Sequence, residues 1–227
     1  MTDLHHAAQL DDPAASAALA AAFHADPAAL NRPDNRGRTP VWMAVWKSRP
    51  AALRQLLAWG ADPRLADEEG LAPIHLAALA DPTHAPELLA LLLDAGADLE
   101  RPARGALTAL HFAARDGLLP AARLLLDRHA NINARTLARE TPLHWALYEG
   151  QEEMALFLLQ NGAALDAQDA HGDTALHEAA RFEYEAVARA LCQKGAPLDL
   201  PNDAGQTPRE LLAETGWPWL PPPLGQS

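Results

Sequence analysis

Short blocks of apolar residues alternate with polar segments along the chain, and the alternation has a nearly constant period. One block begins with a Thr-Pro-Leu-His-like hexapeptide, which occurs at residues 39–44, 72–77, 108–113, 141–146 and 174–179. Successive copies start 33, 36, 33 and 33 residues apart. A period of this length predicts a repeat architecture in which every unit is one supersecondary element.

The copy that starts at Thr141 indicates which elements each unit contains. Thr141 is suited to cap a helix, and Pro142 is tolerated in the first turn, where no intrahelical N–H is needed. This first helix is expected to end near Gly150. The apolar residues of 154–159 predict a second helix, and Gly162 fits a left-handed cap at its end. The repeated unit is therefore predicted to be a pair of short helices.

A second recurring signature accompanies the hexapeptide. A Leu-Leu pair, or Leu191-Cys192 in the last copy, is followed by Gly-Ala or a related ending at residues 56–62, 92–98, 125–131, 158–164 and 191–197. Together the two signatures and the period resemble the ankyrin repeat, with its Thr-Pro-Leu-His-x-Ala opening and period of about 33 residues. The resemblance implies an all-α repeat fold, an ankyrin solenoid of helix-turn-helix units joined by short β-turns.

The phase of the repeats also predicts domain boundaries. The expected organisation is an N-terminal capping partial repeat (1–33), five full repeats (34–66, 67–102, 103–135, 136–168 and 169–201) and a C-terminal capping partial repeat with a Pro- and Trp-rich tail (202–227). The tail segment Trp217–Leu224 has two interpretations. It is either a polyproline ligand for an aromatic groove or an apolar lid that folds back over the last repeat, and the lid is favoured.

Composition narrows the class of protein. The chain of 227 residues contains 51 Ala and 39 Leu but only five Val and Ile together, which excludes a predominantly β protein. No apolar stretch approaches the roughly 20 residues of a membrane span, and residues 1–6 lack the basic start of a secretory signal. We therefore expect a cytoplasmic protein. Sixteen Arg against two Lys and the abundant Ala suggest a bacterial source.

The net charge of −12 disfavours binding to a nucleic-acid backbone. The charge is distributed unevenly along the chain. From the N-terminal partial repeat to the C-terminal one, the seven units have net charges of −3, +4, −7, +3, −4, −3 and −2. Such alternation is able to steer a partner of complementary pattern. It is equally able to align neighbouring repeats, and the sequence favours neither explanation.

No arrangement of residues in the sequence predicts catalysis or metal binding. Histidine recurs in phase at His5, His75, His111, His144 and His177. Equivalent side chains in stacked repeats are on the order of 10 Å apart, whereas zinc needs its nitrogens at about 2.0 to 2.1 Å. Each His is instead expected to bond turn backbone near a repeat Thr. His177-Glu178 lacks the second His of a zinc-protease helix, since Arg181 stands there, and Cys192 occupies a core Leu position. We predict no catalytic, cofactor-binding or metal-binding residues, and no enzyme.

The resemblance implies where a partner binds. In the ankyrin family, partners usually lie in a concave groove lined by the β-turn tips and the exposed face of each first helix. Exposed aromatic residues and arginines are common hot spots, although Trp46, Tyr148 and Phe182 are each equally consistent with packing on a neighbouring repeat. Leu137 also falls at a turn tip. The predicted groove residues are Arg36, Arg38, Trp46, Lys47, Glu68, Glu69, Leu71, Leu107, Arg115, Arg139, Tyr148, Glu149, Arg181 and Phe182.

The predicted function is that of a non-catalytic protein-protein interaction module or scaffold, with no cofactor, no nucleic acid and no membrane as partner, acting as a monomer. An alternative is an inhibitor or immunity protein that neutralises a cognate toxin or enzyme, because the repeat of residues 67–102 carries −7. An enzyme with a composite site is a further class. The repeats leave no room for a separate catalytic domain, so this class is disfavoured.

Overall fold

The computed structural model describes residues 3–10 and 15–219. The described residues contain short α-helices and no β-strand, with one isolated antiparallel bridge between Gln168 and Thr174. The helices are α1 (Leu4–Ala7), α2 (Ala15–Ala25), α3 (Pro40–Trp46), α4 (Pro50–Ala58), α5 (Pro73–Ala78), α6 (Ala85–Asp94), α7 (Ala109–Arg115), α8 (Leu119–Asp127), α9 (Pro142–Tyr148), α10 (Glu152–Gln160), α11 (Ala175–Arg181), α12 (Glu185–Gln193) and α13 (Pro208–Thr215). Two 3₁₀ turns cover Pro27–Asn31 and Arg104–Ala106.

The helices form two compact units. The N-terminal unit, Met1–Asn131, contains α1 to α8, and the C-terminal unit, Ile132–Ser227, contains α9 to α13. Within each unit the pattern of helix contacts is regular: the two helices of a repeat pack on each other, and each first helix packs on the first helix of the next repeat. None of the described helices has the length and apolar character needed to cross a membrane.

Where the hexapeptide contains both Thr and His, in the third, fourth and fifth repeats, these two residues cap the first helix. In the fourth repeat the backbone N–H of Thr141 donates to Nδ1 of His144 at 3.2 Å, and the Thr141 hydroxyl lies 2.8 Å from the same nitrogen. The same reciprocal arrangement is found for Thr174 and His177. A polar group at the helix start satisfies an N–H that would otherwise have no partner. The Thr therefore begins the helix as predicted.

The same histidines connect consecutive segments. Because Nδ1 accepts a hydrogen bond, Nε2 carries the proton and donates to a backbone carbonyl. The Nε2 atoms of His144 and His177 lie 3.2 Å and 3.1 Å from the carbonyl oxygens of Asp173 and Gln206, the residues just before the next Thr. These contacts agree with the structural role predicted for the recurrent His.

Trp42 replaces this His in the first full repeat but keeps the connection. Its indole N–H donates to the carbonyl oxygen of Leu71 at 3.1 Å, and the residue is almost completely buried. Leu71 immediately precedes the start of the next hexapeptide. The substitution therefore preserves the bond between repeats and adds a larger apolar surface to it.

Alanine sets the distance between repeats. The last residue of the hexapeptide, at positions 44, 77, 113, 146 and 179, is fully buried in all five copies. The leucines of the second helices fill the interior beside it, and Leu53, Leu88, Leu125 and Leu158 are also fully buried. Interiors packed to this density leave no volume for a larger side chain.

A residue with left-handed backbone conformation stands two positions before the start of each hexapeptide. Glycine takes this place at Gly37, Gly70 and Gly172, with φ between 76° and 82°. Ala106 and Arg139 hold the equivalent positions in the third and fourth repeats, with φ of 64° and 61°. The turn at 104–107 differs from the others, because Gly105 (φ of 80°) and Ala106 are both left-handed there. Ala106 adopts this conformation without being glycine, at some cost in strain.

Candidate partner-binding surface

In the N-terminal unit, two of the predicted site residues, Trp46 and Arg38, lie against the ring of Trp42 on α3. Trp46 is 55% exposed, and its ring stacks on Trp42 with the centroids 5.6 Å apart. The guanidinium of Arg38 lies over the ring of Trp42, with its Cζ atom 5.5 Å from the ring centroid. Its guanidinium also bonds to Asp34 at 2.6 Å. Burial opposes the ionisation of Asp34, but the hydrogen bonds from Arg38 and the turn backbone lower its pKa to about 2. Arg38 is thus held in place beside the tryptophans.

The turn tips of the same unit present charge. Arg36, Glu68 and Glu69 are exposed, and the backbone N–H of Glu68 donates to the carbonyl oxygen of Arg36 at 3.1 Å. This bond links two consecutive tips. Lys47 is exposed at the end of α3. Basic and acidic tips therefore lie side by side.

Three other predicted residues of this unit are only half-buried. Leu71 and Leu107 flank the starts of their hexapeptides. Arg115 ends α7, bonds Asp116 at 2.6 Å and lies 5.5 Å from the ring centroid of Phe112. These side chains offer part of their surface to a partner and use the rest within the fold.

In the C-terminal unit, Arg139 and Glu149 are exposed, and Phe182 is 43% exposed with its ring 5.8 Å from that of Tyr184. Leu137, at the tip of the turn before α9, is 81% exposed. The repeat phase predicts Leu137 at a turn tip, and it is not one of the predicted groove residues. Its exposure makes it a stronger candidate than several of them.

Tyr148 and Arg181 belong to a buried polar network. The hydroxyl of Tyr148 donates to Oδ2 of Asp169 at 2.8 Å. The guanidinium of Arg181 donates to Asp173 at 3.0 Å and to Glu178 at 2.6 Å. Asp169, Asp173 and Glu178 are almost completely buried. The phase of the repeats places Asp173 in a turn beside the predicted tips, but its carboxylate faces inward to donors such as Arg181 and Asn202.

Burial and hydrogen bonding have opposite effects on the carboxyl groups of this network. Burial raises the pKa of Glu178 to about 7, in spite of the adjacent Arg181. Burial also acts on Asp173, but hydrogen bonds from Arg181 and Asn202 outweigh it and lower the pKa of that carboxyl. Burial and the bond to Asp169 raise the pKa of Tyr148. The sequence carries one sign of this network. Glu178 stands where the other hexapeptides have Met, Leu, Phe or Trp.

Three carboxylates so close together suggest a cation site by composition. One oxygen each of Asp169, Asp173 and Glu178 lies within 4.8 Å of the others. However, Nη1 of Arg181 lies 3.0 Å and 2.6 Å from oxygens of the last two carboxylates. The guanidinium therefore occupies the position in which a cation would balance their charge.

The described part of the C-terminal tail packs on α12. The indole N–H of Trp219 donates to Glu185 at 2.9 Å, and Arg189 lies 5.2 Å from its ring centroid. The ring of Trp217 stacks on that of Trp219. These contacts agree with the lid interpretation for the two tryptophans, while residues 220–224 of the tail lie outside the described residues.

Known proteins with similar sequences and structures contain ankyrin repeats. The family model "Ankyrin repeats (3 copies)" matches residues 55–136 and 134–202, more than half of the chain. The chain belongs to the ankyrin repeat family. A solved structure of the ankyrin repeat domain of Bcl-3, described as a unique member of the IkappaB protein family, matches this ankyrin repeat chain with a TM-score of 0.82 and 32% identity. It covers 94% of this chain and 97% of that one.

A human relative is similar over a shorter part. Neurogenic locus notch homolog protein 4 of Homo sapiens is 40% identical over 91 residues, which are 39% of this ankyrin repeat chain and 4% of the relative. The chain thus spans a small fraction of that protein. The ankyrin repeat fold and these relatives support a protein-interaction module, and ankyrin repeat proteins are generally non-catalytic.

Proposed function

We propose that the chain binds a protein partner through the turn tips and first helices of its repeats, in the concave groove that the family resemblance implies. One observation supports this surface above others. Across residues 3–10 and 15–219, the exposed large hydrophobic side chains are Trp46, Leu137 and Phe182. Trp46 and Phe182 lie at the ends of first helices and Leu137 lies at a turn tip, so the second helices expose no such side chain.

Exposed aromatic side chains are favourable anchors for a partner. A ring that is already held by its neighbours loses little conformational entropy on binding, and Trp46 is held by its stack on Trp42. An interface of standard size buries roughly 1,600 Å² in total, and a few buried anchors dominate its free energy. Trp46 and Phe182, one in each unit, are the anchors that we propose.

Charged tips beside these anchors would orient the partner. In the described structure Arg36, Lys47, Glu68 and Glu69 are exposed and form no ion pair. Charges that are free in the isolated protein are available to a partner of complementary pattern, and they act mainly on the association rate. We therefore expect association to slow as the salt concentration rises.

The test is capture of a partner with the purified chain, followed by affinity measurements on variants. Trp46→Ala and Phe182→Ala should each weaken binding of the recovered protein by about tenfold or more, as hot-spot residues do. Gln160→Ala, an exposed change on second helix α10, is the matched control and should bind like the unchanged chain. Unaltered affinity in both aromatic variants would show that the partner uses another surface.

The second candidate function, an inhibitor or immunity protein, is favoured by the acidic second repeat. Glu68 and Glu69 expose its charge at a turn tip. In this case the recovered partner would be a basic toxin or enzyme that loses activity on adding the chain. Glu68→Lys with Glu69→Lys should abolish that inhibition, whereas a partner without any activity to inhibit would rule this candidate out.

A further inference from the structure

Three buried carboxyl groups share one region of the C-terminal unit. Asp169 and Asp173 lie in the turn before α11, and Glu178 lies on α11 itself. They are 2%, 5% and 3% exposed, and one oxygen of each lies within 4.8 Å of the others. Like charges at this separation, removed from water, strongly disfavour a state in which all are ionised. This region must therefore contain cations or protons that reduce the charge.

Arg181 supplies one positive charge to the cluster. It donates to both Asp173 and Glu178, and its side chain is 38% exposed. The neighbouring histidines do not supply a second one, since burial lowers the pKa of His144 and His177 and keeps the rings neutral near pH 7. Three ionised carboxylates would thus leave two negative charges uncompensated.

Among the described residues, Arg135 is another cation close to the cluster. It lies in the segment before α9 and donates to the carbonyl oxygen of Gln168, next to Asp169, rather than to one of the three carboxylates. From α9, Tyr148 faces the cluster, and Tyr184 approaches from the start of α12. On α12 and α13, Glu214 is exposed, and other charged groups form contacts outside the cluster. Glu185 bonds Arg189 and Trp219, Arg209 pairs with Asp199, and Glu210 caps its own helix at Thr207.

The hydrogen bonds indicate which carboxyl group carries a proton. Asp169 accepts from the backbone N–H groups of His171 and Asp173 and from Tyr148. Asp173 accepts from both Nη atoms of Arg181 and, at 2.7 Å, from Asn202. The side-chain carboxyl group of Glu178 has Arg181 as its one hydrogen-bond partner among the described residues. Because hydrogen-bond donors stabilise the ionised form, Glu178 is the least stabilised anion of the three.

We propose that the cluster of Asp169, Asp173, Glu178 and Arg181 is a one-proton site, in which Glu178 holds a proton near neutral pH and releases it as the pH rises. Release leaves a second uncompensated negative charge beneath α11. The expected consequence is weaker packing of α11 and its turn. Raising the pH from about 5 to 8.5 should therefore destabilise the folded C-terminal unit.

The direction follows from proton linkage. The unfolded chain loses the Glu178 proton around its ordinary pKa of 4.5, whereas the folded chain keeps it until about pH 7. Between these values the folded state binds more protons, so stability falls as the pH rises.

Tyr148 and Arg181, which the cluster holds, are also predicted groove residues. The proton site does not depend on that assignment, and its test needs no partner.

The test compares urea unfolding of the unchanged chain with that of Glu178→Gln at pH 5 and pH 8.5. Glutamine keeps the shape and an oxygen that can accept from Arg181, but it cannot ionise. We expect the folding equilibrium constant of the unchanged chain to fall about tenfold or more relative to the variant over this range. Glu214→Gln, which removes an exposed carboxyl group of α13, is the matched control and should follow the unchanged chain.

A second measurement keeps the proposal falsifiable if Glu178→Gln does not fold. The side-chain carboxyl carbon of Glu178 can be followed by NMR in the unchanged chain, and its chemical shift should titrate with a midpoint near 7. A midpoint near 4.5, or parallel pH profiles for the unchanged chain and Glu178→Gln, would overturn the proton site.

Discussion

Gly172→Ala tests how closely consecutive turns approach. Gly172 has a φ of 76°, and a Cβ at this position would lie 2.8 Å from the backbone nitrogen of Asp203 and 3.0 Å from Cα of Asn202. Both atoms belong to the backbone of the next turn, so they cannot move aside as a flexible side chain would. The same nitrogen donates to the carbonyl oxygen of His171 at 2.9 Å. The added methyl group therefore has to push the two turns apart.

Gly205→Ala is the matched control in the same unit. Gly205 occupies the equivalent position of the last turn with a φ of 80°, and nothing lies within 4 Å of its added Cβ. Both substitutions impose the left-handed penalty of about 1 to 2 kcal/mol and change the unfolded chain in the same way. The difference between them isolates the steric contact between turns.

The size of that difference can be worked from the contact. Separating the turns weakens the hydrogen bond from Asp203 to His171, which contributes about 1 kcal/mol, and strains the backbone on both sides by a similar amount. We expect Gly172→Ala to lower the free energy of unfolding by about 2 to 4 kcal/mol and Gly205→Ala by about 1 to 2 kcal/mol.

Urea unfolding followed by circular dichroism measures both values. A second pair repeats the comparison in the N-terminal unit: the Cβ of Gly37→Ala would lie 2.8 Å from the Glu68 nitrogen, and that of Gly70→Ala 3.8 Å from the Arg104 nitrogen. Equal losses within each pair would refute the reasoning, because the left-handed conformation alone would then explain the cost.

Three further predictions concern single features of the repeats. Arg139→Gly should raise the free energy of unfolding by about 1 kcal/mol, because Arg139 has a φ of 61° at a position where other repeats have glycine. An unchanged urea midpoint would show that the left-handed conformation of Arg139 is not strained. Trp42→Phe removes the hydrogen bond to Leu71 and should lower the free energy of unfolding by about 1 kcal/mol or more. Trp42→His restores a hydrogen-bond donor, so its thermal unfolding should show that part of this stability is recovered. Burial lowers the pKa of His75, His144 and His177. Below about pH 6.5 the unfolded chain therefore binds more protons than the folded chain, and the free energy of unfolding should fall as the pH decreases. If the free energy of unfolding of Glu178→Gln did not change between pH 6.5 and 5, this prediction would be wrong.

The helix starts and the turn positions could be predicted because each repeat contains its own capping residues and its own copy of the hexapeptide. Thr141 and Pro142 begin a helix through contacts within four residues, and the same contacts recur at Thr174. The period of the hexapeptide then places equivalent residues in equivalent turns, which located Leu137 and Arg139 at a tip. Whether a tip residue is exposed depends on the neighbouring turn, and the burial of Asp173 shows that the phase alone is insufficient.

The family resemblance, the helix pairs, the capping role of Thr and the positions of the turn tips follow from the amino-acid sequence alone, because they depend on short-range propensities and on a repeated period. Only the folded structure shows that Trp42 keeps the hydrogen bond of the His it replaces, that Ala106 and Arg139 adopt left-handed conformations, and that Glu178 lies beside two aspartates. Contacts between residues of consecutive repeats contribute to the first and the last of these features, as between Trp42 and Leu71 and between Asn202 and Asp173. Burial and distance across consecutive turns, which no single segment encodes, set the charge balance and the exposed surface.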